Sequence, residues 1–214
     1  MVRRVVGVVA WATVSVLAGG GAGVEGRQAA PPAGVQEAGE ARFDPAVNRA
    51  DIDFMAGMIP HHAQAVLIAG WAASHGARQD VRILCERQVV AQRDEIKIMQ
   101  TWLADRGLAV PAADATHHRM VMGGVEHDML MPGMLTDAEL KQLDQARGPE
   151  WDRLFLTFMI KHHRGALEMV DDLFESYGAA QDETVFRLAS DIYADQQAEI
   201  ERMQLMLSGG GQPS

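Results

Sequence analysis

A chain of 214 residues is long enough for one domain with a sizeable core, and a formal charge of -10 is the wrong sign for nucleic acid as a main partner. Its single cysteine, Cys85, excludes an internal disulfide framework and a zinc ribbon, and its neighbours place it beside an apolar stripe as a buried, inert thiol. Aromatics are only 6% of residues against 13 Met and 8 His, although methionine fills cores so flexibly that its abundance alone says little about metal.

In chain order, residues 1–26 read as a secretory signal. Arg3 and Arg4 form a basic start, Val5 to Ala18 is a largely apolar run, and small residues follow from Gly19 to Gly23. The run is short for a membrane span, so periplasmic or secreted placement is expected, with an uncleaved anchor as the alternative. Residues 27–44, holding Pro31-Pro32 and scattered glycines, read as a disordered lead-in.

The bundle domain is expected over 45–208. A first helix is predicted from about Asn48 to His75, with Pro60 inside it removing one helical hydrogen bond. A second runs from about Asp80 to Arg106 and closes a first hairpin, 48–106. A long crossover, 107–149, follows. It carries His117, His118, Met120, Met122, His127, Met129, Met131 and Met134 within 18 residues, then a capping box at Thr136–Glu139 that opens a short helix. A second hairpin, 150–207, consists of helices from Glu150 to about Tyr177 and from about Asp182 to Leu207. No strand-period alternation competes with these helices.

The two hairpins are copies. Residues 51–65 and 152–166 share seven of fifteen positions at an offset of 101, among them Met58-Ile59-x-His61-His62 and Met159-Ile160-x-His162-His163. At an offset of 104, Gln92, Glu95, Ile96, Met99, Gln100 and Leu103 match Gln196, Glu199, Ile200, Met203, Gln204 and Leu207. Two hairpins joined by one long connection make an all-α four-helix bundle in the style of the ferritin-like folds.

On a helix, residues three and four apart share a face, so Met58 stands one turn from both His61 and His62, and Met159 from both His162 and His163. The pairs lie on or beside the buried stripe and converge in one core. Gln92, Glu95, Gln196 and Glu199 lie in the apolar stripes of the other two helices and need partners, for which the histidines are the candidates. A dry His–Glu network that fixes register is the competing structural explanation. The Glu-x-x-His motif of di-iron bundles is absent, because Met58, Ile59, Met159 and Ile160 occupy the positions three before the histidines. Imidazole with thioether suits copper, above all Cu(I), while zinc also accepts imidazole. The crossover's His and Met residues are candidate ligands in their own right.

The two Met-Ile-x-His-His strings, the Gln-x-x-Glu-Ile-x-x-Met strings at Gln92–Met99 and Gln196–Met203, and Met131-Pro132-Gly133-Met134-Leu135-Thr136 resemble the family called domain of unknown function 305. The resemblance spans about 45–207. It implies a ferritin-like four-helix bundle, typically exported, with some members associated with copper. Three functions follow as expectations. The first is an exported copper-binding protein for sequestration, tolerance or transfer to a partner protein. The second is a metal-dependent redox enzyme with its site in the core. The third is a metal-free interaction bundle, which could be a homo-oligomer.

Overall fold

The computed structural model describes residues 47–122 and 125–209, and for residues 118–122 and 125–128 only the backbone is described. The signal read at 1–26 and the lead-in at 27–44 lie outside the described residues. The elements are α1 (Arg49–Ala69), α2 (Gln79–Asp105), β1 (His118–Met122), β2 (Val125–Met129), α3 (Asp137–Gln145), α4 (Pro149–Glu175) and α5 (Glu183–Leu207). Four long helices pack as a bundle in which α1 pairs with α2, α4 with α5, and α1 faces α4.

The helix ends follow from local chemistry. Asn48 caps α1 by accepting the Ala50 amide at 2.9 Å, and its own amide donates to the Tyr177 carbonyl in the other hairpin. α1 runs unbroken through Pro60 and stops at Ala69, short of the His75 expected, where the Trp71 and Ala72 amides leave the helical pattern for the nearer Ile68 and Ala69 carbonyls. The capping box of Thr136 and Glu139 opens α3 as its sequence predicts. Pro149 begins α4, where its missing N–H costs nothing.

One expectation needs correcting. The crossover holds an antiparallel hairpin, β1 on β2, that pairs His118 with Met129 and Met120 with His127. The alternation of His118, Met120 and Met122, and of His127 and Met129, is strand periodicity within a loop otherwise read as irregular. The domain remains an all-α bundle with this small hairpin inserted.

The core comes in two blocks. Phe54, Met58, Met99, Trp102, Val170 and Leu188 belong to one, and Ile68, Leu84, Trp151, Phe155, Met159 and Met203 to the other. Each block takes the first half of one helix and the second half of its antiparallel neighbour. The histidine pairs fall between them, at mid-height on α1 and α4. Buried carboxylates staple the two halves reciprocally. Asp51 at the start of α1 accepts the Ala180 amide of the α4–α5 turn at 2.7 Å, and Asp152 at the start of α4 accepts the Arg78 amide of the α1–α2 turn at 3.3 and 3.4 Å. Cys85 is buried, and burial foremost pushes its thiol pKa up, so it stays protonated and inert.

Candidate metal centre

α1 and α4 bring the two histidine pairs together. The rings of His61 and His162 face each other with centroids 3.8 Å apart and planes inclined by 40°. His62 lies 6.2 Å from His61 and His163 lies 6.3 Å from His162. All four side chains are buried. Glutamates from the other two helices close the ends of this row. His62 Nε2 donates to Glu95 at 2.7 Å, and His163 Nε2 donates to Glu199 at 2.6 Å. His61 Nε2 donates to the Pro132 carbonyl of the crossover at 3.0 Å.

Those partners fix the tautomers. A carbonyl or carboxylate oxygen accepts, so Nε2 carries the proton in His61, His62 and His163 and each Nδ1 keeps a bare lone pair. Five ring nitrogens are buried with no protein partner: Nδ1 of all four histidines and Nε2 of His162. An unsatisfied buried polar atom costs about 1–3 kcal/mol, which is heavy against a typical total stability of about 5–15 kcal/mol. The environment also keeps the two central rings, His61 and His162, neutral. Burial, followed by the neighbouring His62, lowers the His61 pKa to about 3. Burial and the facing His61 hold His162 well below the ordinary value. A neutral ring with a bare nitrogen is the form that binds metal.

The fit to a metal is therefore one of donors rather than of a finished cage. Among the described residues, no three His, Cys, Asp or Glu side chains are already gathered around one point. Rings of the row would have to turn about their side-chain bonds to close on one ion. Met58 and Met159, one turn before the pairs, are fully buried in the two core blocks on either side.

The remaining predicted residues divide. Gln92 and Gln196 make no hydrogen bond to the histidines. Their amide oxygens are buried without partners, and both line a cavity of about 530 Å³ between α2 and α5, together with Glu95, Asp195 and Glu199. Gln88 takes the supporting role instead, donating to Glu199 at 2.8 Å. It lies one turn before Gln92 on the same inward stripe, which was the available signal. In the crossover, His117 is exposed, 4.0 Å from Asp137, and Met129 is exposed, while Met134 is buried with its sulfur accepting the Met131 amide at 3.2 Å. The side chains of His118, Met120, Met122 and His127 lie outside the description.

The family resemblance singles out the stretch Met131–Leu135, but periodicity gives no hint that it forms a strap. Met134 N–H returns to the Met131 carbonyl at 3.1 Å around Pro132 and Gly133, whose φ of +75° makes this a type II turn. Gln64 of α1 grips Leu135 from both directions, donating to its carbonyl at 2.9 Å and accepting its amide at 2.7 Å. Gly165 of α4 lets the strap approach, since a Cβ there would stand 1.9 Å from the Pro132 carbonyl oxygen. The strap thus lies across α1 and α4 with Pro132 bonded to His61.

The family model described as domain of unknown function (DUF305) matches residues 51–207. The chain belongs to the DUF305 family. A candidate secreted DUF305 protein from Streptomyces coelicolor is 30% identical with a TM-score of 0.63, over 76% of this chain and 94% of that one. A DUF305 fragment from Deinococcus radiodurans is 25% identical with a TM-score of 0.62, over 77% and 99%. CopM in its Cu(I)-bound form is 26% identical with a TM-score of 0.57, over 76% and 98%, and CopM is also solved in Cu(II)-bound, Ag-bound and apo forms. No curated protein matches the chain significantly. The match to DUF305 spans both hairpins and the crossover, so the strap and the histidine row lie within it.

Proposed function

We propose that this protein is an exported copper-binding protein that holds the metal in its bundle core for sequestration, tolerance or transfer. The observation that carries the reading is the row of four buried imidazoles with five unpartnered ring nitrogens. His61, His62, His162 and His163 are the ligands in this reading, and Met58 and Met159 supply thioether sulfur. Glu95 and Glu199 hold two of the rings in the tautomer that frees Nδ1. Nitrogen with thioether favours copper, above all Cu(I), over zinc. The copper-bound forms of CopM support the choice.

The crossover supplies an outer set, His117, His118, Met120, Met122, His127 and Met129. The register that pairs His118 with Met129 and Met120 with His127 favours their acting together on metal that is passing to or from a partner protein. Export rests on Arg3-Arg4 and the apolar run after them. Mass spectrometry of the mature protein from its host should find roughly the first 20–30 residues missing, as that signal pattern implies.

The decisive test is Cu(I) titration against a competing chelator, comparing wild type with a variant carrying Ala at all four core histidines. Loss of the tightest binding is expected. Loading wild type at a hundredfold excess over Kd should also stabilise it by about 2.7 kcal/mol. If the variant binds Cu(I) with wild-type tightness and stoichiometry, the core holds no copper and the histidines serve only Glu95 and Glu199.

A further inference from the structure

Met131 leaves the strap toward α1, where Gly57 makes room for it. An ideal Cβ on Gly57 would stand 2.8 Å from Met131 Cε, 3.6 Å from Met131 Sδ and 3.5 Å from Met169 Cε. Two thioether ends, one from the crossover and one from α4, therefore converge on the space that any larger residue at 57 would fill. Met169 is nearly buried and Met131 half-buried. Both line a cavity of about 270 Å³ between α1 and α4, whose other walls include Phe54, Pro132 and the carboxylates Asp53 and Asp172. Met134 takes no part, because its sulfur already accepts the Met131 amide.

A packed pair of methionines in a sealed core needs no ligand, but this pair borders open space. Thioether sulfur is a weak hydrogen-bond acceptor and a good donor to soft, closed-shell cations. It has no proton to lose on binding. Two carboxylates lining the same cavity raise the local concentration of cations, although Asp53 is also engaged by Arg49 at 2.9 Å. Pro132, the residue after Met131, accepts from His61 Nε2, so the pair stands directly beside the strap contact that covers the histidine row.

We propose that Met131 and Met169 form a separate docking site for a soft monovalent metal ion, Cu(I) or Ag(I), at the mouth of the α1–α4 groove. The proposal rests on the copper reading only for the identity of the ion. The site is a two-sulfur station outside the histidine row, able to fill whether or not the row does.

Silver(I) is the probe, since it needs no reductant. Full-length protein labelled at the methionine ε-methyl carbons is titrated with Ag(I), and the signals are assigned by Met131→Leu and Met169→Leu. The ε-methyl signals of both residues should move together and saturate at one ion. The double Leu variant, which keeps the apolar volume, should bind one ion fewer. Gly57→Ala leaves both sulfurs in the chain but pushes Met131 aside, and should weaken this site at least tenfold. The four-histidine variant should keep the paired methyl shifts, so loss of core binding with the shifts retained separates the two sites. If the double Leu variant binds the wild-type number of Ag(I) ions, or if these two methyl signals stay still while others move, the proposal is overturned.

Discussion

His61 and His162 occupy equivalent places in the two repeats, yet the protein holds them differently. His61 donates its Nε2 proton to the strap at Pro132, whereas both ring nitrogens of His162 are without partners. The same asymmetry appears one turn on. Gln64 and Gly165 are also equivalent positions, and each serves the strap in its own way. Gln64 grips Leu135 with two hydrogen bonds, and Gly165 gives up its side chain so that Pro132 and Gly133 can lie against α4. Duplication supplied two similar halves, and the crossover, which is present once, made them unequal.

The largest expected effect tests what the two central rings share. His61 and His162 have folded pKa values below their unfolded value near 6.5, so the unfolded chain binds more protons once the pH falls below that value. Stability contributed by their neutral forms is present above about pH 6.5 and is lost on acidification, toward about pH 3 for His61. With both rings titrating only in the unfolded state, the slope rises from about 1.4 kcal/mol per pH unit at pH 6.5 toward about 2.7 kcal/mol per pH unit near pH 5. Burial raises the pKa values of Asp51 and Asp152, and those groups act in the opposite sense, gaining protons in the native state as pH falls. Urea unfolding of metal-free protein between pH 6.5 and 5 should show the slope, and His61→Gln with His162→Gln should flatten it. A slope unchanged by the double substitution would mean that neither ring is kept neutral by the fold.

The next effect sharpens the contrast between Gln64 and Gly165. Gly165→Ala gains about 1 kcal/mol of helix propensity. It nevertheless drives a methyl into backbone at 1.9 Å, and should cost a net of about 2–3 kcal/mol in urea unfolding, as overpacking commonly does. Gln64→Ala leaves a buried N–H and C=O of Leu135 without partners and should cost about 2 kcal/mol. The signature that distinguishes a strap effect from general damage is hydrogen exchange. The Leu135 amide should lose protection in both variants while the α2 amides keep theirs. Equal loss across the bundle would remove the strap from the account.

The bundle could be read from the sequence because its information is periodic. Met58, His61 and Ala65 repeat as Met159, His162 and Ala166, and the capping box at Thr136 marks its helix by local chemistry alone. The strap could not be read that way. Its contacts join Gln64 to Leu135 and Pro132 to Gly165, pairs that no helical or strand period links. Apart from the Met131–Thr136 string of the family resemblance, its visible trace is negative, a Gln and a Gly at corresponding positions of otherwise similar repeats. Gln88 was missed for a different reason. It shares the inward face of Gln92, but periodicity names a face and not which of several amides on it reaches a given carboxylate. The hairpin β1–β2 was signalled by alternate His and Met residues, and the same residues read equally well as ligands spaced along a loop.

The smallest expected effect compares the reciprocal staples. Asp51 accepts one short bond from Ala180 N–H at 2.7 Å, whereas Asp152 accepts two long ones from Arg78 N–H at 3.3 and 3.4 Å. Ala180 adopts a positive φ of 54°, so the turn that Asp51 holds is also the more strained. Asn keeps an acceptor oxygen in either place but removes the charge. Charged hydrogen bonds contribute about 1.5–3 kcal/mol against about 0.5–1.5 kcal/mol for neutral ones. The burial that raises both pKa values opposes that gain, because a neutral amide is easier to bury than a carboxylate. Asp51→Asn should therefore cost about 1 kcal/mol and Asp152→Asn less, since long bonds lose little when their charge is removed. The comparison is read from urea midpoints at pH 7, where both carboxylates are ionised in the unfolded chain. If Asp152→Asn proves the more costly, the two staples are not ranked by their bond lengths, and the α1–α2 turn depends on the charge of Asp152 more than its geometry suggests.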